Sequence, residues 1–431
     1  MESIWTKTED GPEFKTLKGD IKTDVLVIGG GIAGIFCSHM LRAAGVENVL
    51  VEADRICSGI TKNTTAKLTY QHGLIYDKII RKYGLDTAKL YLHAQQSAMN
   101  EVSKMCKTYE CEFEQCDSFV YSLNDREKIE KEVKAFNRLG SKADFCEKTE
   151  LPFPVAGAVR VKNQAQFHPL KLLFKIAKNL DIYENTKVTE FKPDSVITKY
   201  GKIRAKKIIV ATHFPFLNKH GSYILKMYQN RSYVLALKNA VSLNGMYVDE
   251  SETGLSFRNY KDLLLLGGGS HRTGKKGTNW AELSETAEKY YPESTEACRW
   301  ATQDCVTLDS IPYIGQYSKR TPDLYVATGF NKWGMSSAMV SAMILCDMVQ
   351  GKENEYAKVF SPSRSMLHLQ LAANAAEALV SILTPTVPRC PHMGCALKYN
   401  PQEHSWDCPC HGSRFTETGE LIDNPSGKAC F

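Results

Sequence analysis

What this chain of 431 residues lacks already narrows its function. No apolar run is long enough to span a membrane. The nearest, Met335 to Val349, is interrupted by Ser336, Ser337, Ser341 and Asp347. Met1 to Leu17 contain no apolar core of a secretory signal, so none is expected, and a cytoplasmic protein without a membrane span is the working expectation. No long block of one charge occurs. The net charge is +6, and short basic clusters such as Arg204, Lys206 and Lys207 read as solvated surface, which predicts no nucleic-acid partner. Hydrophobic residues make up 43%, enough for ordinary globular cores, and the length calls for two or three domains.

Cysteine, in contrast, is abundant, with fourteen in the chain. Ten are scattered and suggest no disulfide framework, which suits a reducing compartment. Cys106, Cys111 and Cys116 recur every five residues, a spacing that matches no metal motif and reads as structural or free thiols. The other four lie in two C-terminal loops. One runs Cys390-Pro391-His392-Met393-Gly394-Cys395, and the second, with fifteen residues between it and His392, runs Cys408-Pro409-Cys410-His411-Gly412-Ser413. Thiolates of Cys390 and Cys408 can hold one iron of a [2Fe–2S] cluster and imidazoles of His392 and His411 the other. Four such ligands can also hold zinc.

The two loops resemble those of Rieske proteins of the respiratory bc-complex type. The resemblance implies a disulfide between Cys395 and Cys410, for which a zinc site has no use, and a Ser413 hydroxyl donating to a cluster sulfur. It fails at Phe415, where a tyrosine hydroxyl usually donates to a cysteine sulfur. Fewer hydrogen bonds to sulfur stabilise the reduced cluster less, so the expected potential lies below the bc-complex type and above ferredoxins with four thiolates.

A second cofactor signal stands near the N-terminus. The apolar strand Val25 to Ile28 runs into Gly29-x-Gly31-x-x-Gly34, then a helix, a second apolar strand from Val49 to Val51, and Glu52. This is a dinucleotide fingerprint in its full βαβ context. Gly29 permits the turn, Gly31 lets the backbone approach a pyrophosphate, and Gly34 lets helix and strand pack closely. The helix N-terminus offers amide donors to the phosphates, and Glu52 is placed to accept from ribose hydroxyls.

The continuation Ser58-Gly-Ile-Thr61 with Asn63-Thr-Thr65-Ala66-Lys67 resembles the D-amino-acid oxidase/glycine oxidase superfamily of FAD enzymes. So do Lys206 to Pro215, Asp309 to Gly315, and Leu324 to Met335. The resemblance spans roughly residues 20–360 and, with the C-terminal loops, extends to bacterial FAD-dependent oxidoreductases that carry a Rieske domain. It implies FAD contacts from Ser58, Thr61, Thr65, Ala66, Val188, Ala211, Thr212, Gly315, Gly329, Lys332, Trp333, Gly334 and Met335. The fold it implies is α/β, with a Rossmann-like FAD domain interleaved with an α+β substrate domain and a small β-type cluster domain. The expected segments are 20–75, 155–220 and 300–358 for FAD, 76–154 and 221–299 for substrate, 359–385 as a helical linker and 386–431 for the cluster. Ordinary Rieske domains place several strands before the first cluster loop. Here they are missing, so the tail needs the cluster, the disulfide and docking to hold it.

Local patterns agree with this division. Tyr91, Ala94, Ala98, Val102 and Met105 recur at helical spacing, residues 124–139 read as helix, and Phe113 to Leu123, Met227 to Lys238 and Met246 to Leu266 read as strands. Gly267, Gly268 and Gly269 follow a strand and offer a rival NAD(P)H site, but a turn-rich loop rather than a helix follows them.

In chemistry, a flavin and a one-electron cluster on one chain form a two-to-one electron converter. The superfamily's usual reaction implies hydride transfer from a C–H beside nitrogen of a small amine or amino acid, with electrons leaving through the cluster to an unidentified one-electron partner. Candidate side chains are Arg258, to pair with a substrate carboxylate, His72 as a base near the ring, and Lys332 against flavin N1 or the C2 carbonyl. An NAD(P)H-driven reductase and a redox sensor or relay are the competing functions.

Overall fold

The computed structural model describes residues 2–192, 195–217, 221–366, 368–385, 388–423 and 425–430; the expected domain boundary at 386 falls outside them. Among the described residues the chain forms three sheets. The central strand of the first, Ile21–Ile28, is apolar along most of its length and buried there, as a parallel strand covered on both faces must be. It pairs in parallel with Gly201–Val210 on one side and Asn48–Val51 on the other, and Leu324–Thr328 and Ile182–Tyr183 extend the parallel set outward. The helices Ile32–Ala43 and Gly334–Val349 pack on each other over it.

The second sheet has nine strands, ordered Thr295–Thr307, Met227–Lys238, Leu263–Arg272, Ser256–Tyr260, Met246–Asp249, Glu114–Ser122, Gly157–Gln166 and Lys67–Leu68, with Asp144–Cys146 paired to Gly157–Gln166. Three strands therefore depart from the expected segments, the short Lys67–Leu68 among them, although residues 20–75 were expected beside the FAD fold. Gly157–Gln166 and most of Thr295–Thr307 lie in this sheet, although residues 155–220 and 300–358 were expected beside the FAD fold. Both are long strands, and their sheet is decided by which neighbour completes the backbone pairing. The three glycines 267–269 lie within the strand Leu263–Arg272, and the next helix, Trp280–Tyr290, begins well past them, so the rival dinucleotide site has no helix N-terminus at its glycines.

The third sheet is a four-stranded antiparallel meander, Lys398–Asn400, Ser405–Asp407, Arg414–Thr416 and Leu421–Asp423. A helix, Leu369–Leu383, precedes it. No helix among the described residues is long and apolar enough to cross a membrane.

Candidate functional site

A cavity of about 1240 Å³ opens between the first two sheets and reaches the third. Its floor is the glycine turn. Gly29 has φ +111, and a Cβ there would come within 2.7 Å of the Ala211 carbonyl oxygen; a Cβ on Gly34 would overlap the Gly29 carbonyl oxygen. Glu52 accepts from the Gly30 N–H at 2.6 Å and the Asp54 N–H at 3.0 Å, and burial pushes its carboxyl up from the usual range. The Thr61 hydroxyl accepts from the Ile32 N–H at 3.1 Å, so the second loop closes onto the first helix turn.

Residues 62–66 form the adjoining wall, and five successive carbonyls there are turned into the protein. The Ser3 hydroxyl donates to Lys62, the Trp300 indole to Asn63 at 2.9 Å, and the Trp5 indole to Thr64 at 2.6 Å. Arg258 Nη1 donates to Thr65 at 2.6 Å and to Ala66 at 2.9 Å. Carbonyls held from outside leave this segment stiff beside the cavity, which Thr64, Thr65 and Lys67 line. Lys67 Nζ lies 3.1 Å from the Thr65 hydroxyl, and burial, with Arg258 behind it, pushes its ammonium down to about 7.

The expected site residues separate into groups. Gly29, Gly31, Glu52, Ser58, Thr61, Thr65, Val188, Ala211, Thr212, Gly329, Lys332, Trp333, Gly334 and Met335 line the cavity. Gly34, Ala66 and Gly315 are not among the lining residues; a Cβ on Gly315 would face Pro362. Arg258 does not line it either. Its Nε donates to the Asn259 carbonyl and its Nη1 to those of Thr65 and Ala66, which turns it away from the cavity and from a substrate carboxylate there. His72 lies at the cavity wall, stacked on Trp333 at 5.0 Å, but both ring nitrogens are occupied, Nδ1 by the Tyr91 hydroxyl at 2.7 Å and Nε2 by Thr69 and Ser336. Burial drives its pKa down to about 3, so the ring is neutral and held as a structural group. Lys332 reaches the Ser270 hydroxyl at 3.1 Å across the cavity, on a backbone in which Asn331 (φ 52) and Lys332 (φ 70) are both left-handed.

The two Cys/His loops converge at the end of the small sheet. Cys390 and Cys408 sulfurs are in hydrogen-bonding contact, and this contact with Cys408 draws the Cys390 thiol down to about 7. His392 and His411 rings stand edge to face, 5.0 Å apart. His411 Nδ1 is buried without a hydrogen-bond partner among the described residues, while the ring also engages the Ile224 backbone carbonyl. Burial and His392 hold its pKa at about 3, the neutral form that ligates iron. Cys395 and Cys410 are joined as a disulfide. The Ser413 hydroxyl is bonded to Cys390 and accepts from the Ser426 N–H at 2.9 Å. Two thiols side by side, two neutral rings and a buried open ring nitrogen fit a cluster with iron split between sulfur and nitrogen ligands.

The cluster loops are seated on the second sheet. Gln229 Nε2 donates to the His411 carbonyl at 2.8 Å and Gln303 Nε2 to the Gly412 carbonyl at 2.9 Å. Arg272 donates to the Pro409 and Cys410 carbonyls. A Cβ on Gly412 would come 2.5 Å from Gln229 Cβ, and one on Gly274 2.6 Å from Pro409 N, so both glycines allow the close approach. Arg231 and Arg414 clamp the buried Glu403, which also accepts from the Tyr233 hydroxyl at 2.8 Å. Gln229, Gln303, Asp304 and His213 line the cavity, and the sequence reading had not singled them out. The signal for Gln229, Gln303 and Asp304 is two polar stretches, Gln229 to Ser232 and Thr302 to Asp304, inside strands that are elsewhere largely apolar.

The geometry defines a two-centre redox protein, with a dinucleotide cavity and a [2Fe–2S] ligand set on one body. The model of the FAD dependent oxidoreductase (DAO) family matches residues 24–348 and that of the Rieske [2Fe-2S] domain residues 383–430. The chain therefore belongs to the DAO family of FAD-dependent oxidoreductases and carries a C-terminal Rieske [2Fe–2S] domain. It is 35% identical to the Rieske 2Fe-2S iron-sulfur protein YhfW of Bacillus subtilis (strain 168), covering 99% of this chain and 96% of that protein. It is 23% identical to the γ-glutamylputrescine oxidoreductase of Escherichia coli (strain K12), over 80% of this chain and 87% of that one. Its fold is similar to glycine oxidase from Geobacillus kaustophilus (TM-score 0.68, 16% identity, 80% and 99% covered). L-proline dehydrogenase from P. horikoshii is comparable (TM-score 0.67, 18% identity, 81% and 98% covered).

Proposed function

We propose that this enzyme is a dehydrogenase that oxidises the carbon beside nitrogen in a small amine or amino-acid-like substrate and passes the electrons singly through its cluster to an external acceptor. The observation that carries the reading is the double placement of Gln229 and Gln303. Both line the FAD cavity, and both hold backbone carbonyls of the cluster loop. Bound FAD takes two electrons as hydride and can release them one at a time.

The chain's own residues set the conditions for that chemistry. Gly29, Gly31 and Glu52 hold the nucleotide end, and the stiff wall at Thr64 and Thr65 faces the cavity. Asp249 and Asp304 give the substrate side carboxylates, and Lys332 with Ser270 gives it a cation and a hydroxyl. Burial raises the Asp304 carboxyl and lowers the Lys332 ammonium, so the pair is held in a water-poor setting where each strongly favours a charged partner. These groups support a substrate bearing an amine, as does kinship with an enzyme named for γ-glutamylputrescine. Ten cysteines outside the cluster loops are free thiols, which supports a cytoplasmic setting.

Anaerobic mixing of the purified holoprotein with amine and amino-acid panels tests the reading. Bleaching of the flavin band followed by appearance of the reduced cluster's paramagnetic signal is expected. Bleaching by NADH alone, or by no small molecule and only by a reduced protein, would overturn it in favour of a reductase or a relay.

A further inference from the structure

The two cluster loops are buried unequally. Every residue from Cys408 to Phe415 is buried, and this loop rests on the strands whose Gln229 and Gln303 face the cavity. In the other loop Pro391 and Met393 are exposed, Met393 by 43%. The helix Leu369–Leu383 ends against this outer loop. The Ser381 carbonyl accepts from the Ala396 N–H at 3.1 Å, and Arg389 donates to the carbonyls of Ile382 and Thr384. Asn374 and Ser381 are buried on the helix's inner side, and Glu377 pairs there with Lys275 at 2.6 Å. The outer side carries Ala372, Ala376, Leu379, Val380 and Leu383, all exposed and none charged, with Leu379 at 60%, Val380 at 63% and Leu383 at 71%. Leu379, Val380 and Leu383 thus sit together on one uncharged side of the helix and are not scattered singly.

We propose that this helix face, together with Met393, is the docking surface for a one-electron carrier protein that receives electrons from the cluster. The inference rests on the reading that electrons leave the chain through the cluster. The loop of Cys408 and His411 is buried on strands that line the cavity, and in the loop of Cys390 and His392, where Pro391 and His392 border the cavity, Met393 is exposed beside the helix end. A protein seated on the helix lies against that outer loop.

Size selects a carrier over a second copy of the chain. A 15-residue helix is about 22 Å long and about 10 Å wide, so its outer side offers on the order of 250 Å². A stable interface needs about 800 Å² per partner, whereas redox encounters sit at the small end. Charge selects a carrier over a lipid surface. Helices that lie on anionic membranes carry Lys and Arg on their polar side, and residues 365–388 contain neither. Each carrier molecule gains one electron, so two are reduced for every two electrons and two protons that an amine loses on becoming an imine, the protons passing to solvent.

The test compares wild type with the Leu379→Gln/Leu383→Gln double variant, which alters only exposed side chains. Each holoprotein is reduced with dithionite, desalted anaerobically, and mixed with ferricyanide, with the soluble proteins above 10 kDa from cells that produce it, or with washed membranes of those cells. The soluble proteins are expected to reoxidise the wild-type cluster and to act at least tenfold more slowly on the variant, at equal ferricyanide rates. Hydrogen exchange across residues 372–396 is expected to slow when the most active soluble fraction is added to wild type and to stay unchanged in the variant. Equal rates for both proteins, or reoxidation by neither fraction, would overturn the proposal. So would reoxidation by membranes alone with flotation on phosphatidylglycerol vesicles, or a wild-type dimer in sedimentation velocity that the variant splits. If soluble proteins reoxidise the flavin while the cluster signal stays reduced, the outlet reading itself fails, and the separate signals of the two centres distinguish that result.

Discussion

Arg258 is fully buried, its guanidinium shared among three backbone carbonyls and packed 5.5 Å from the Trp5 ring. It acts on the cavity through the loop it holds. A hydrogen bond from a charged donor contributes about 1.5–3 kcal/mol. Arg258→Met should therefore weaken FAD retention at least tenfold, seen as flavin fluorescence released on dilution. A direct role in binding substrate carboxylates would instead raise KM and leave FAD retention unchanged. Phe415 is buried among the four cluster-loop cysteines. Phe415→Tyr places a hydroxyl beside sulfur. If it donates, the cluster's midpoint potential should rise by about 60–130 mV, taking a charge-assisted bond and a one-electron couple. A redox titration followed by paramagnetic resonance checks it, and an unchanged or lower potential contradicts the sulfur hydrogen-bond account.

Between elements, the cluster sheet is fastened to the strand Met227–Lys238 by the Arg231–Glu403–Arg414 clamp. Burial alone would raise the Glu403 carboxyl, but Arg231 and Arg414 overcome it and hold the group at about 2 against an ordinary value of 4.5. Because the folded pKa is depressed, the clamp stabilises fully above pH 4.5 and is lost as pH falls from there toward about 2. Proteolysis or hydrogen exchange along residues 398–423 should show this sheet loosening across that window. Glu403→Ala leaves two buried guanidiniums short of a partner and should cost about 3–5 kcal/mol in thermal or denaturant unfolding. The strand pattern from Met227 to Lys238 was readable from alternation and β-formers. That Gln229 and Arg231 of this strand would meet a cluster sheet over 170 residues away was not, because register within a strand says nothing about what lies above it.

At the scale of the whole molecule, the tail is fastened to the body along one side. Its four short strands and single disulfide are supplemented by contacts from Gln229, Gln303, Arg231, Arg272 and Lys187, all on the body. A fragment of residues 385–431 should not fold without iron, and a well-dispersed NMR spectrum of that iron-free peptide would contradict the account. Extraction of iron from the full protein should loosen hydrogen exchange in residues 388–423 before it affects the sheet around Ile21–Ile28.

The sequence alone determined the two cofactor classes, because each depends on local chemistry: glycines that must turn or approach a phosphate, and two thiols and two imidazoles at fixed spacing. It also carried the longer helices and strands, Leu85–Tyr109 and Met227–Lys238 among them, whose periodicity reports burial by one face. The tertiary structure decided how those pieces act together. Only packing turned Arg258 inward, occupied both nitrogens of His72, and set Gln229 and Gln303 between the cavity and the cluster loop. Such contacts join residues far apart in the chain, and local pattern cannot say which distant backbone will supply a side chain's partner.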